Sequence, residues 1–228
     1  LRCAHAAVEA ASSQRTSIAS FAFSHDEAQR RRLTLGADLP LALEGGPLFL
    51  MFQPKTRMAD GRITGVEALI RWRHPVFGLV PPVEFIPIAE HTGTSASLTR
   101  WVLHAALNQL AAWHRDGIQL EVAVNLSGRQ LQRNNLSTTI AGILEETGLD
   151  PSFLELEVTE SIFLRDDDHA RAVLEQAMAL GCPIALDDFG TGYSSLGYLR
   201  KLRFSTIKVD RTFVQGAATG NAESLAII

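Results

Sequence analysis

Five separate stretches of this 228-residue chain carry polar side chains on otherwise aliphatic runs. They are Glu67 in "VEALIR", Asn125 in "EVAVN", Glu157 in "LELEVTE", Asp187 and Asp188 in "IALDD", and Lys208 in "TIKVD". Four carboxylates gathered within a few ångströms repel, and some take up protons unless cations intervene. Lys208 and Arg71 alone on the same strand faces could offset them. Divalent cations resolve the conflict. The oxygen donor set, with no histidine or cysteine at these positions, selects Mg²⁺ or Mn²⁺ over zinc. Two such ions at a spacing of ~3.5–4 Å clamp a phosphate ester for attack by bound water. Adjacent carboxylates such as Asp187 and Asp188 can bridge or split between them.

That chemistry requires elements that bring the stretches together. Strands are expected at 48–54, 65–72, 120–127, 153–160, 183–189 and 205–210. Side chains alternate faces along a strand. Val66, Ala68 and Ile70 therefore oppose Glu67, Leu69 and Arg71, and Val122 and Val124 oppose Ala123 and Asn125. Leu154, Leu156 and Val158 oppose Glu155, Glu157 and Thr159. Ile184 and Leu186 oppose Ala185 and Asp187, and Ile207 and Val209 oppose Lys208 and Asp210. Five strands thus keep one aliphatic face and one polar or small face.

Between the strands, apolar residues recur at helical spacing. Leu98, Trp101, Val102, Ala105, Ala106 and Trp113 form one stripe ending at Gly117. Ile140, Ile143 and Leu144 form a second ending at Gly148. Val173, Leu174, Ala177 and Met178 form a third ending at Gly181. Alternating strands and helices imply a parallel sheet covered by helices. In a parallel barrel the polar faces line the lumen, and their C-terminal ends build the site. Asn125, Glu157 and Asp187 fall late in their strands, so they would gather at one mouth.

The composition is that of an ordinary globular protein, 46% hydrophobic and 20% charged, with a net charge of −4. No polybasic segment favours duplex nucleic acid as a partner. Cys3 and Cys182 match neither a disulfide framework nor a zinc spacing, in keeping with a reducing, cytoplasmic setting. Residues 1–23 are alanine-rich. "SHDE" at 24–27 has the form of a capping box that starts a linker helix ending at "EGGP", residues 44–47. Leu at the first position and "AESLAII" at the last read as a piece of a longer chain.

Taken singly, each polar residue has a duller role. Glu67 could pair with Arg71 or Arg73, Asn125 could make a turn, Asp187 and Asp188 could cap the next helix, and Lys208 could sit on an edge strand. These roles would have to hold independently on five strands in phase. Gly190 and Gly192 make neither a dinucleotide fingerprint nor a phosphate loop. They suit a flexible loop, or a lid over the site. Ser194 and Ser195 lack the frame of a nucleophilic serine, and His74, His91, His104 and His114 suit packing or surface roles.

In chain order, "FQPK", "GVEALIRWRHP", "VNLS", "LEVTES", "ALDDFGTGYSSL" and "IKVDRTF" closely resemble the motifs of the EAL family of cyclic di-GMP phosphodiesterases, from about residue 48 onward. The resemblance implies an α/β fold, a TIM-type (β/α)8 barrel whose first strand is antiparallel to the rest. Here it would be short of about its last two strands and preceded by the linker helix at 24–47. It implies metal-dependent hydrolysis of cyclic di-GMP to linear pGpG in bacterial signalling, with two ions of Mg²⁺ or Mn²⁺. Carried over, Glu67, Asn125, Glu157, Asp187 and Asp188 are metal ligands, Glu67 also belongs to the catalytic set, and Lys208 orients or activates the attacking water. Asp210 is a further acidic group beside the lysine. Gln53, Leu69 and Arg71 contact the substrate, and Glu160 anchors the loop "DFGTGYSS". The family's later glutamate, in an "AEGVE"-type motif, and its "QG" glutamine would lie beyond residue 228. Residues 1–23 weakly resemble the tail of a GGDEF-like domain, so the expected partners are cyclic di-GMP, an upstream GGDEF or sensory domain, and a second copy docked through the barrel.

Two other functions compete with hydrolysis. A receptor that binds cyclic di-GMP without cutting it usually lacks a metal ligand, whereas the ligands visible here are intact. A barrel of the enolase type would need a capping domain, for which the first 47 residues are too few.

Overall fold

A computed structural model describes residues 23–131, 135–160, 162, 168–190 and 202–227. It divides into two compact units, Leu1–Phe49 with Arg71–Ser95 and Leu50–Ile70 with Ala96–Ile228. Residues 1–22 of the GGDEF-like stretch at 1–23, and the loop positions Gly192, Ser194 and Ser195, lie outside the described residues.

In the first unit, helix α1 (Phe23–Leu43) begins one residue before the Ser24 expected to cap it, and it ends where the Gly-Gly-Pro signal places its stop. Leu35, Leu39 and Ala42, at spacings of four and three, are its buried stripe. Helix α2 (Pro82–Thr92) starts with proline in its first turn and buries Phe85, Ile88 and Ala89. Strand β3 (Gly78–Val80) pairs antiparallel with the end of β2 (Ile63–His74), Trp72 opposite Val80. At three residues, β3 is too short for an alternation pattern to reveal.

The expected strands are all present: β1 (Leu48–Thr56), β2, β4 (Glu121–Leu126), β5 (Leu154–Thr159), β6 (Ile184–Phe189) and β7 (Thr206–Val209). Their order is β1-β2-β4-β5-β6-β7, and every pair from β2 to β7 on this path is parallel. The turn between β1 and β2 is closed by Arg57 N–H on the Arg62 carbonyl at 2.9 Å, and Thr64 reaches the Lys55 carbonyl. That hairpin makes β1 antiparallel to β2. The sheet therefore has the strand sequence of a TIM-type barrel, open among the described residues.

The second unit also holds helices α3 (Ser95–Arg115), α4 (Gly128–Leu131), α5 (Leu136–Thr147), α6 (Asp168–Leu180), α7 (Arg211–Ala218) and α8 (Ala222–Ile227). The stripes expected on α5 and α6 are buried, with Met178 at the margin. On α3 the buried face is Leu98, Val102, Leu103, Ala106, Leu107 and Leu110, while Trp101, Ala105 and Trp113 are half-buried. Two bulky indoles drew the sequence-based stripe toward one edge of the true face. β5 is buried on both faces, as a central parallel strand should be. Ile207 departs from expectation: it is 48% exposed instead of packed under a helix. Among the described residues no helix is long and apolar enough to cross a membrane.

Candidate active site

Four strands deliver side chains to one point. Lys208 Nζ donates hydrogen bonds to Glu157 Oε2 at 2.5 Å, Asp187 Oδ2 at 3.1 Å and Glu67 Oε2 at 3.4 Å. The other oxygen of Glu67 accepts from Asn125 Nδ2 at 2.7 Å. Register explains the meeting, because Glu67 pairs with Ala123, Asn125 with Glu157, and Thr159 with Asp187. Each site residue stands on the face opposite its aliphatic neighbours, so the alternation read from the sequence holds. The Glu67 carboxylate bonds to Asn125 and Lys208.

Two consecutive aspartates cannot share a face in a regular strand. Asp188 has φ 55°, the one positive φ outside glycine among the described residues. The pairing of β6 with β7 also shifts register between Leu186 and Phe189. A bulge and a left-handed residue together turn the chain so that Asp188 rejoins the mouth beside Asp187. Its carboxyl is held above the usual range, first by burial and then by the charges of Asp187 and Asp210. Nothing in the spelling "DDF" reveals this turn, although aspartate is among the few residues that tolerate it.

The electrostatics are those of a crowded acidic site. Glu157 is fully buried, and burial pushes its carboxyl pKa up against the pull of Lys208. For Lys208, burial opposes the charge, but the bond to Glu157 and the charges of Glu157, Glu67 and Asp187 outweigh it and hold the ammonium pKa above its ordinary value. Glu157 Oε1 is buried without a hydrogen-bond partner. An orphaned, solvent-excluded carboxylate oxygen in an oxygen-only donor set suits a hard divalent cation. Among the described residues no group of three or more His, Cys, Asp or Glu side chains is arranged as a metal site. In this arrangement the lysine ammonium fills the centre.

The remaining expected residues take distinct places. Glu160, 2% exposed, accepts the Gly190 N–H at 3.3 Å, where the loop after β6 begins. Gly190 is required there: its φ is 96°, and a Cβ would come 2.7 Å from the Phe213 ring. Asp210 caps α7, its Oδ1 accepting the Thr212 N–H at 2.9 Å and the Thr212 hydroxyl. Those bonds keep its carboxyl below the usual range. Gln53 is exposed on β1, and Leu69 and Arg71 are half-buried on β2.

The chain matches the EAL domain family over residues 37–228. It is 43% identical over 194 residues to a cyclic di-GMP phosphodiesterase of Pseudomonas aeruginosa, covering 85% of this chain and 33% of that protein. It is 44% identical over 190 residues to the bifunctional diguanylate cyclase/cyclic di-GMP phosphodiesterase MucR of the same organism, covering 83% and 28%. The chain thus spans a third or less of the length of these relatives. The solved PaMucR phosphodiesterase in complex with c-di-GMP superimposes with a TM-score of 0.78 at 44% identity, over 85% of this chain and 78% of that one.

Proposed function

The chain belongs to the EAL domain family, and we propose from that membership that it hydrolyses cyclic di-GMP to linear pGpG in bacterial second-messenger signalling. The observation that carries the reading is the convergence of Glu67, Glu157 and Asp187 on Lys208 Nζ, with Glu157 and Asp187 late in their strands. In TIM-type barrels the C-terminal end of the strands holds the chemistry.

Glu67, Asn125, Glu157, Asp187 and Asp188 are the residues that would hold two ions of Mg²⁺ or Mn²⁺. Bound ions of this kind activate a water and neutralise phosphate charge. Asn125 fixes the rotation of the Glu67 carboxylate by donating to its Oε1. Lys208, held by Glu157, Asp187 and Glu67, would orient or activate the attacking water. Gln53, Leu69 and Arg71 contact guanine and phosphate. Glu160 sets the start of the loop through Gly190. Asp210 acts from its helix cap, its charge raising the pKa of Asp188.

Residues 1–23 read as the tail of a GGDEF-like domain, 24–47 as a linker helix and 48–228 as the phosphodiesterase domain. An upstream catalytic or sensory domain and a second copy are the partners, in a cytoplasmic setting. The test is incubation of the complete domain with cyclic di-GMP and Mg²⁺ or Mn²⁺, with pGpG followed by chromatography. Turnover in the wild type and its loss in Glu67→Gln support the reading, and no turnover with either ion rejects it.

One observation favours a second reading, a non-hydrolytic receptor for the same nucleotide. Lys208 pairs with Glu67, Glu157 and Asp187, three of the carboxylates that would otherwise hold the ions. Calorimetric binding of cyclic di-GMP with no product would identify it.

A further inference from the structure

A second polar layer lies beneath the site. The residues two positions before Glu67, Asn125, Glu157, Asp187 and Lys208 are Gly65, Ala123, Glu155, Ala185 and Thr206. Alternation places each on the same face as its successor. Gly65, Ala123 and Ala185 are buried and add at most a methyl group. The space they leave is crossed by Lys55 from β1, whose ammonium donates to Glu155 Oε2. A Cβ at position 65 would come 2.9 Å from the Glu121 carbonyl oxygen and 3.4 Å from Lys55 Cε. The other oxygen of Glu155 accepts the Thr206 hydroxyl at 2.7 Å, and Glu155 is 5% exposed.

β5 and β7 are not neighbours, because β6 stands between them. Two side-chain bridges cross it, Glu157 to Lys208 and Glu155 to Thr206, each between residues 51 apart in sequence. They are the same relation repeated one step down both strands. Backbone pairing between β6 and β7 is regular at Ala185 with Thr206 and Leu186 with Ile207, then shifts before Phe189. Lys208 therefore emerges opposite the irregularity, where ladder hydrogen bonds do not fix its height. Thr206 is the last regularly placed lumen residue below it.

We infer that Glu155, clamped between Lys55 and Thr206, is a positioning residue that sets where Lys208 Nζ stands among the carboxylates. Only the kinetic part of its test rests on the phosphodiesterase reading.

The full chain is labelled at lysine Cε with ¹³C, and the Lys208 resonance is assigned by its loss in Lys208→Met. It is then followed in metal-free Thr206→Val, which removes the hydroxyl at constant shape, and in Glu155→Gln. Expected are a moved Lys208 resonance in both variants, a kcat lowered about tenfold with KM within twofold, and recovery of both in Thr206→Ser. An unmoved resonance with unchanged kcat and only a lowered Tm overturns the inference and leaves Glu155 a packing device. If the complete wild-type domain shows no turnover, the phosphodiesterase reading falls and the resonance alone decides. If Glu155→Gln does not fold, Thr206→Val carries the test.

Discussion

Lys208 and Glu157 form a 2.5 Å ion pair in which the carboxylate is fully buried and the lysine side chain is 26% exposed. Removing the cation strands three carboxylates. Lys208→Met should abolish turnover and cost about 2 kcal/mol at pH 8, below the figure for a fully buried pair because the lysine is partly hydrated. The loss should shrink on acidification. Without the ammonium, the folded-state pKa of Glu157 stands further above its unfolded value, so the folded chain binds more protons and gains stability as pH falls. Thermal unfolding of the variant at pH 5 and pH 8 checks the sign.

Gly190→Ala places a Cβ where φ is 96° and the Phe213 ring is 2.7 Å away. A cost of about 2 kcal/mol or more is expected. Combining it with Phe213→Ala should relieve the clash but not the backbone strain. Urea unfolding of the single and double variants separates the two contributions.

Cys182 is 2% exposed, and burial pushes its thiol up to about 11 from an ordinary 9.0. A maleimide reagent at pH 8 should leave it unlabelled in the folded chain and label it in urea. The contribution of the protonated thiol is complete below pH 9 and lost as pH passes 11, because only the unfolded chain ionises between those values. About 2–3 kcal/mol should disappear over that window. Cys182→Ala should flatten that part of the stability profile.

His74, the last residue of β2, is buried and bonds to Asp38 of α1. Its Nδ1 accepts the N–H groups of Val76 at 3.1 Å and Phe77 at 3.3 Å, so Nε2 carries the proton and donates to Asp38 at 3.0 Å. Asp38→Ala leaves that donor unsatisfied and should cost about 1–3 kcal/mol, measured by urea unfolding. Arg31, paired with Glu84 at 2.8 Å, is more exposed, and Arg31→Ala should cost less than 1 kcal/mol.

Strand alternation made the site legible before any coordinates. Glu67, Asn125, Glu157, Asp187 and Lys208 obey a period of two, and four of those five meet around one atom. Asp188 was legible only as a residue type, because its left-handed turn goes with a register shift between β6 and β7 that no local pattern encodes. The Lys55–Glu155–Thr206 layer was hidden for a different reason. Glu155 was visible on the lumen face, but a part-buried ion pair closed across 100 residues leaves no local pattern. The periodicity of α3 points to a stripe that differs from its buried face at the edges, since large aromatic residues weigh heavily in the pattern yet are seldom wholly enclosed.

The left-handed backbone at Asp188 narrows the evolutionary paths open to this domain. Glycine and asparagine share that conformational tolerance, and each is a single nucleotide change from aspartate. Descendants can thus shed one acidic group while preserving the chain path around it, so retirement of the chemistry need not endanger the scaffold.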